Sequence, residues 1–153
     1  MNIKIGIGFS QEDNIVHAAE SAAEQARREL GEDRIDIAVL LSTPHYPPQH
    51  ILPIVESALN HTRIIGGTTA GIILNDGLKR RGIAVMAFHS DIVKLQAVHA
   101  SHLNLKDIEE AGQAFVKDAG IPFGQKERRV LFFFFDGLLE NMSSFIRGIE
   151  KEF

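Results

Sequence analysis

The stretch IDIAVLL, Ile35–Leu41, decides the fold class, because it is a nearly unbroken apolar run with polar sequence on both sides. Such a run is typical of a β-strand whose two faces are both covered, as in the centre of an α/β sheet. Pro44, Pro47 and Pro48 follow it, and they predict a loop that leads into a helix. The run therefore predicts a central strand in a sheet layered between helices.

The segment before this strand predicts another strand and a helix. In IKIGIGF, Ile3–Phe9, large apolar residues alternate with lysine and glycine, which is the period of a β-strand. Ser10 is then expected as the helix N-cap, with Asp13 in the first turn. Apolar residues recur at helical spacing over Ile15–Leu30, and Gly31 is expected to end the helix. Together with the central strand, this order predicts a strand–helix–strand unit with parallel strands.

The remaining segments predict a mixed sheet. Strands are predicted at Arg63–Ile65, Ile83–His89, Val93–His99 and Arg129–Phe135, and helices at 51–59, at 105–119 with Asn104 as N-cap, and at 142–153. A polar turn is expected at Asn75–Gly77, and Ser90 with Asp91 is expected to close a hairpin. The fold class is therefore predicted as α/β, with a mixed, largely parallel sheet flanked by helices in the order βαβαβββαβα. We expect one domain over residues 1–153, either complete or cut short after its last helix.

Composition excludes several classes of protein. The chain has 153 residues, 44% of them hydrophobic, and no cysteine, which excludes disulfides, thiolate catalysis and cysteine-rich zinc sites. The net charge of −4 and the scattered lysine and arginine residues provide no basic face for nucleic acid. No apolar run is long enough to span a bilayer, and the N-terminus lacks the pattern of a signal peptide. We therefore predict a cytoplasmic protein with no membrane or nucleic-acid partner.

The stretch IIGGTTAG, Ile64–Gly71, is the first candidate binding site, because bare backbone and two hydroxyl groups follow a predicted strand. Glycine leaves backbone N–H groups unobstructed, and several such groups together can hold a carboxylate or a phosphate. Ligand-binding roles are therefore predicted for Gly66, Gly67, Thr68, Thr69 and Gly71. The alternative stays open that the two adjacent glycines only allow a neighbouring strand or helix to pack closely.

Polar side chains are also expected at the ends of other strands. Ser10 follows the first strand, Ser42 and Tyr46 follow the central strand, and Asp136 follows the last strand. Ligands of α/β proteins bind beyond the carboxyl ends of strands, so these four residues are predicted to join the binding site. Tyr46 can close its ring over a ligand or pack against Pro47, and Asp136 can bind an ammonium group or cap its own turn. Both pairs of alternatives stay open.

Metal and catalytic sites are not predicted. The seven histidines include His45 with His50 and His99 with His102, but neither pair has an acidic third ligand nearby in sequence. No Gly-x-Ser-x-Gly turn is present to carry the nucleophile of a Ser–His–Asp hydrolase. We expect no metal, no cofactor and no enzymatic activity. The alternatives are a small hydrolase of esters or phosphates and an interaction domain without a ligand.

Four stretches together resemble the N-terminal part of a FIST domain, and they occur in the family's order. They are GIGFSQEDNIVHAAESAAEQA, DIAVLLSTPHYPPQHIL, IIGGTTAGIILNDGLKRRGIAVMAF and FFFFDGLLENMSSFIRGI. The resemblance implies a sensory module of intracellular signal transduction, with a small molecule such as an amino acid as ligand and a signalling output domain or protein as partner. It implies no catalytic residues. The chain looks like a short or truncated member, and it departs from the family at Gly67, where a cysteine is usual.

The run of phenylalanines at Phe132–Phe135 bears on assembly, because it places bulky rings on both faces of the last predicted strand. If helices cover only one face, a second copy of the chain or a further part of the protein must cover the other. A homo-oligomer is therefore one expectation.

Overall fold

The computed structural model describes residues 2–31, 34–99, 107–119, 130–135 and 141–152. The chain divides into two compact units, Met1–Ala97 and Val98–Phe153, and the expected single domain stays a prediction. The first unit contains β1 (Ile3–Ser10), α1 (Ile15–Leu30), β2 (Ile37–Ser42), α2 (Pro48–Ala58), β3 (Ile64–Thr68), β4 (Ile72–Leu74), β5 (Gly77–Lys79) and β6 (Ile83–Ser90). The second unit contains α3 (Ile108–Asp118) and α4 (Met142–Glu150).

A four-stranded sheet organises the first unit, with the strands in the order β1-β6-β2-β3. The predicted α/β class with a mixed sheet is confirmed. The expectation of a largely parallel sheet is wrong, because β6 pairs antiparallel with both β1 and β2, and among the described strands only β2 and β3 pair in parallel. The chain reaches β6 through a short hairpin and not through a helical crossover. Strand β6 can therefore run antiparallel to β1 and β2.

The connection between β3 and β6 is that hairpin, formed by β4 and β5. The polar turn expected at Asn75–Gly77 joins these two strands. Neither strand was predicted from the sequence, because each has only three residues and neither shows a clear alternation. The predicted order βαβαβββαβα is therefore only roughly matched.

The strand predicted at Val93–His99 does not form, although these residues are described. The Ser90 hydroxyl oxygen accepts hydrogen bonds from the backbone N–H groups of Ile92, at 3.2 Å, and Val93, at 2.8 Å. A serine that bonds the backbone two and three residues ahead offers the chain an alternative to a strand ladder. The turn at Ser90 therefore ends β6 without starting a hairpin.

Helix α1 covers one face of the sheet, packing against β1 and β6. Its end at Leu30, followed by Gly31 in the left-handed conformation with φ of 65°, is as expected. The N-cap is Asn14 instead of Ser10, because β1 continues through Ser10 and the Asn14 side chain accepts from the N–H groups of Val16 and His17. The buried core beneath α1 contains Ala18, Ala19, Ala22, Ala23, Ala26, Leu40 and Val85.

The second unit is built from α3 and α4, which pack against each other around buried Val116, Phe145 and Ile149. The N-cap of α3 is Asp107, whose side chain accepts from the Glu110 N–H, whereas Asn104 lies outside the described residues.

The last predicted strand is described only over residues 130–135, and no strand forms there. Leu131 and Phe133 pack against the buried cluster of the second unit, while Val130 and Phe132 are about 80% exposed. The residues thus keep a two-residue alternation, but no neighbouring strand in the described part of the chain supplies a ladder. The predicted coverage of both faces is not seen in these residues.

Candidate functional site

A row of residues at one end of the sheet brings together three of the predicted site residues. The registers pair Ser10 with Ile83, Ile83 with Ser42, and Ser42 with Thr68. Residues paired across neighbouring strands point to the same face, so the three hydroxyl side chains lie on one side of the sheet. Ser10 and Ser42 are buried and Thr68 is exposed.

The glycine–threonine stretch is mostly strand and not a loop after a strand, because β3 runs through Thr68. Arg63 O accepts from Ala38 N, and Thr69 N donates to Ser42 O at 2.8 Å. Backbone groups alternate in direction along a strand, so the odd-numbered residues of this stretch bond β2 and the N–H groups of Gly66 and Thr68 face the outer edge of the sheet. The N–H groups of Gly66 and Thr68 are therefore not used by β2.

The two adjacent glycines have different structural roles. Gly66 has a φ of 139°, and a Cβ there would lie 1.9 Å from the carbonyl oxygen of Leu40. A Cβ at Gly67 would meet no atom within 4 Å. Close packing therefore explains Gly66 and does not explain Gly67.

The two remaining residues of the stretch contact each other locally. The Thr69 hydroxyl donates to Gly71 O at 3.0 Å, and a Cβ at Gly71 would lie 2.8 Å from the Leu78 side chain on the hairpin. The backbone N–H of Thr69 is already used by β2. Neither observation tests the predicted ligand-binding roles, which stay predictions.

Tyr46 is fully buried and bonded within the protein. Its hydroxyl donates to Glu12 O at 2.8 Å and accepts from Arg81 Nε at 3.3 Å. The Arg81 guanidinium also lies 5.7 Å from the centre of the Tyr46 ring and 2.7 Å from the Asp13 carboxylate. The tyrosine ring therefore anchors a network beside the row of hydroxyls.

Asp136 lies outside the described residues, so its role stays a prediction. In the described part of the chain, no group of three or more histidine, aspartate or glutamate residues is placed to hold a metal ion. Within those same residues, no helix is both long and apolar enough to cross a membrane.

A shallow cavity of about 500 Å³, open to solvent over most of its boundary, lies beside the β1 end of the row. Three elements wall it: the end of β1 with the loop after it, helix α1, and the β4–β5 hairpin. Its lining residues are Phe9, Ser10, Gln11, Glu12, Ser21, Gln25, Asp76 and Lys79. Ser10 is the one predicted residue among them. The others were missed because they come from separate segments that no local pattern connects.

The cavity lining carries charges of both signs. Lys79 Nζ lies 2.7 Å from an Asp76 carboxylate oxygen, and its hydrogen bond lowers the pKa of Asp76. Glu12 adds a second carboxylate, on the loop after β1. Neutral hydrogen-bonding groups line α1, where Gln25 Nε2 donates to the Ser21 hydroxyl at 3.0 Å. The lining can therefore meet both a positive and a negative group of one ligand.

The family model that matches this chain is the FIST N domain, over residues 36–153. The chain belongs to the FIST N domain family. This is a family of sensory, signal-transduction domains that are typically non-catalytic. The resemblance inferred from sequence is confirmed for three of its four stretches, whereas the first stretch, which forms most of β1 and α1, lies before the matched range.

Comparisons with curated proteins and with solved structures add no further family. No curated protein matches the chain in sequence. Among solved structures, the chain is similar to the empty FtsZ dimer of M. jannaschii, with 19% sequence identity and a TM-score of 0.34. The similarity covers 65% of this chain and 34% of that chain, so this chain spans about a third of the FtsZ chain.

Proposed function

We propose that this FIST domain is a non-catalytic sensor that reversibly binds a small anionic or zwitterionic metabolite, such as an amino acid, at the serine-lined end of its sheet. The observation that carries the proposal is the cavity of about 500 Å³ at the end of β1. Its size falls within the range of small-molecule sites, roughly 300–1,000 Å³. Binding biases a fused output domain or a partner protein toward one of two states.

The charges of the lining support a ligand with two charged groups. Lys79 bonds Asp76 and has further N–H groups that can meet a carboxylate of the ligand, and Glu12 on the loop after β1 can meet an ammonium group. Ser10, Ser21 and Gln25 provide neutral donors and acceptors between them.

The exposed end of the row, at Thr68 on β3, is a second part of the proposed site, and buried Ile83 and Ser42 lie between it and the cavity. There the outward N–H groups of Gly66 and Thr68 can donate hydrogen bonds to the anionic group of a larger ligand. The other predicted residues, Gly67, Thr69, Gly71 and Asp136, belong to the same proposal, and Tyr46 contributes through the bonds of its buried hydroxyl.

The hydrolase alternative has one pair of groups in its favour, the Thr43 hydroxyl and the His45 ring, 3.4 Å apart. Thr43 is fully buried, however, and its hydroxyl oxygen accepts from Gly82 N at 3.1 Å. A nucleophile must reach its substrate, and this hydroxyl does not. The burial of Thr43 therefore removes this pair as support for a hydrolase. We also propose a cytoplasmic location, and assembly through a second copy stays part of the proposal.

Thermal unfolding in the presence of amino acids and organic acids tests the proposal. A ligand of the native state at about 100 times its Kd stabilises by about 2.7 kcal/mol, which raises Tm by several degrees. We expect at least one compound to do so, and Lys79→Gln and Glu12→Gln to abolish the rise. Arg63→Gln is the matched control, since Arg63 is exposed and donates to Ala97 O away from the cavity. A screen in which no compound raises Tm refutes the proposal.

The double variant Thr68→Val and Thr69→Val tests the part of the site that lies on β3. Valine keeps the branched shape and removes the hydroxyl groups. If the ligand reaches this stretch, the affinity falls, whereas unchanged affinity confines the ligand to the cavity beside β1.

A further inference from the structure

Two residues outside the cavity fasten one of its walls. The Tyr46 hydroxyl donates to the backbone oxygen of Glu12 at 2.8 Å, and Arg81 holds the Asp13 carboxylate at 2.7 Å. Both acceptors belong to the loop after β1, which brings Glu12 into the cavity lining. Neither Tyr46 nor Arg81 lines the cavity itself. The loop is therefore held at two successive residues from its far side.

Arg81 connects this loop to the opposite wall. It follows β5 by two residues, and Lys79, the last residue of β5, lines the cavity. Its guanidinium lies over the ring of Tyr46 and donates to the Tyr46 hydroxyl at 3.3 Å. Because Tyr46 is fully buried in the core, it is a fixed point for both walls.

We propose that Tyr46 and Arg81 are positioning residues that set the separation between Glu12 and Lys79, and so select the ligand by the distance between its ammonium and carboxylate groups. The inference rests on the proposed function. A ligand that matches the fixed separation binds without moving either wall. A shorter or longer ligand binds only if the loop after β1 breaks its hydrogen bond to Tyr46 and its ion pair with Arg81. Breaking them lowers the affinity for that ligand.

The two residues contribute unequally. The Tyr46 hydrogen bond is anchored in the core, whereas the Arg81–Asp13 pair has side chains that are 44% and 92% exposed. Exposed ion pairs contribute little, because water screens them. Loss of the Tyr46 hydroxyl is therefore expected to change ligand selection more than loss of the Arg81 charge.

Calorimetric titration with a series of unbranched amino acids tests the inference. The probes are glycine, β-alanine, 4-aminobutanoate, 5-aminopentanoate and 6-aminohexanoate, which differ only in the separation of the two charged groups. Wild type is expected to prefer one member. Tyr46→Phe keeps the ring and should weaken binding of that member about five- to tenfold, the effect of one lost hydrogen bond, with less than a twofold change for the others. Arg81→Gln should do the same to a smaller extent, and Arg81→Lys should partly restore the preference.

The controls separate selection from folding. Arg63→Gln should leave the ranking unchanged, since that arginine lies away from the cavity. If wild type binds one probe best and Tyr46→Phe and Arg81→Gln keep its ranking and affinity, this inference is refuted and the proposed function survives. A uniform loss for all probes together with a lower Tm shows a purely structural role and also refutes it. If no amino acid or organic acid binds wild type, both proposals fail.

Discussion

The two edge strands of the sheet, β1 and β3, each contain two glycines, and they use them differently. In β1, a Cβ at Gly6 would lie 2.0 Å from Ala26 O, and a Cβ at Gly8 would lie 1.9 Å from Ala22 O. Both glycines of β1 therefore allow the backbone of α1 to lie directly on the strand. In β3, only Gly66 approaches another backbone, and Gly67 is open. The same residue type thus marks helix packing on one edge and exposed backbone on the other.

The edges differ in their outward N–H groups as well. Ile7 N donates to Glu29 Oε2 at 2.6 Å, and Phe9 N donates to Gln25 Oε1 at 3.4 Å. Side chains of α1 therefore occupy the outer edge of β1, which protects it from pairing with another strand. The outer edge of β1 is therefore covered by its helix, whereas Gly66, Gly67 and Thr68 of β3 are exposed.

The largest expected effect is that of Gly8→Ala in β1. The new methyl group meets main-chain atoms of α1, which cannot rotate away, so the helix must move off the strand. We expect a loss of about 3 kcal/mol in the free energy of unfolding, measured by urea denaturation. Gly6→Ala should behave alike. An unchanged midpoint for both variants would show that α1 does not lie this close to β1.

Gly66→Ala in β3 should destabilise the protein by about 2 kcal/mol. Its positive φ is costly for any residue with a side chain, and the methyl group meets Leu40 O. The cost is smaller than in β1, because β3 is an edge strand that can shift outward. If Gly66→Ala proves as harmful as Gly8→Ala, the contrast between the two edges is wrong.

Asp36→Asn tests a charge that links the start of β2 to the end of β6. The Asp36 carboxylate accepts from Ser90 N at 2.8 Å and pairs with Arg34 at 2.8 Å, and the bond from Ser90 is the largest cause of its lowered pKa. His89 Nδ1 lies 3.1 Å from the same carboxylate, without the geometry of a hydrogen bond. At neutral pH we expect a loss of about 1.5 kcal/mol.

The effect of Asp36→Asn should depend on pH in one direction. A carboxylate with a lowered pKa in the folded state stabilises the protein above its unfolded pKa, near 3.8, and loses that contribution as the pH falls through the folded value. Wild type and variant should therefore converge in urea denaturation at acidic pH. Asp91→Asn is the matched control, since Asp91 is 55% exposed. A difference that persists unchanged at low pH would contradict a role for the charge.

Glu29→Ala should open the outer edge of β1 at small cost. Water can replace the lost acceptor, so we expect a decrease of about 1 kcal/mol or less in the free energy of unfolding. Hydrogen exchange measured by NMR should show a faster Ile7 amide. Glu24→Ala, at an exposed glutamate of the same helix, is the control and should leave that amide unchanged. Equal exchange in both variants would show that Glu29 does not protect the edge.

Gly67→Ala should have the smallest effect. Its added methyl group meets no atom, and Gly67 is not among the glycines with positive φ. Alanine restricts the unfolded chain more than glycine, so we expect a gain of about 0.5 kcal/mol. The measurement is the same urea denaturation as for Gly8→Ala. A clear loss of stability would mean that something packs on this position after all.

Much of the first unit was predictable because its signals are local. The alternation of Ile3–Phe9, the helical spacing up to Gly31 and the apolar run of β2 each depend on neighbouring residues only. The row of Ser10, Ser42 and Thr68 was expected from strand ends, and the registers bring the three together. The cavity was not predictable, because Glu12 and Lys79 meet through folding and lie far apart in sequence.

The sequence by itself determined where most strands and helices of the first unit lie and which family the chain belongs to, since periodicity, caps and motifs act over a few residues. Only the tertiary structure decided that β6 lies between β1 and β2. It also decided that the backbone of α1 packs against Gly8, whereas no atom lies within 4 Å of a Cβ placed at Gly67. Those outcomes depend on which distant segments pair, and a local pattern is compatible with several pairings.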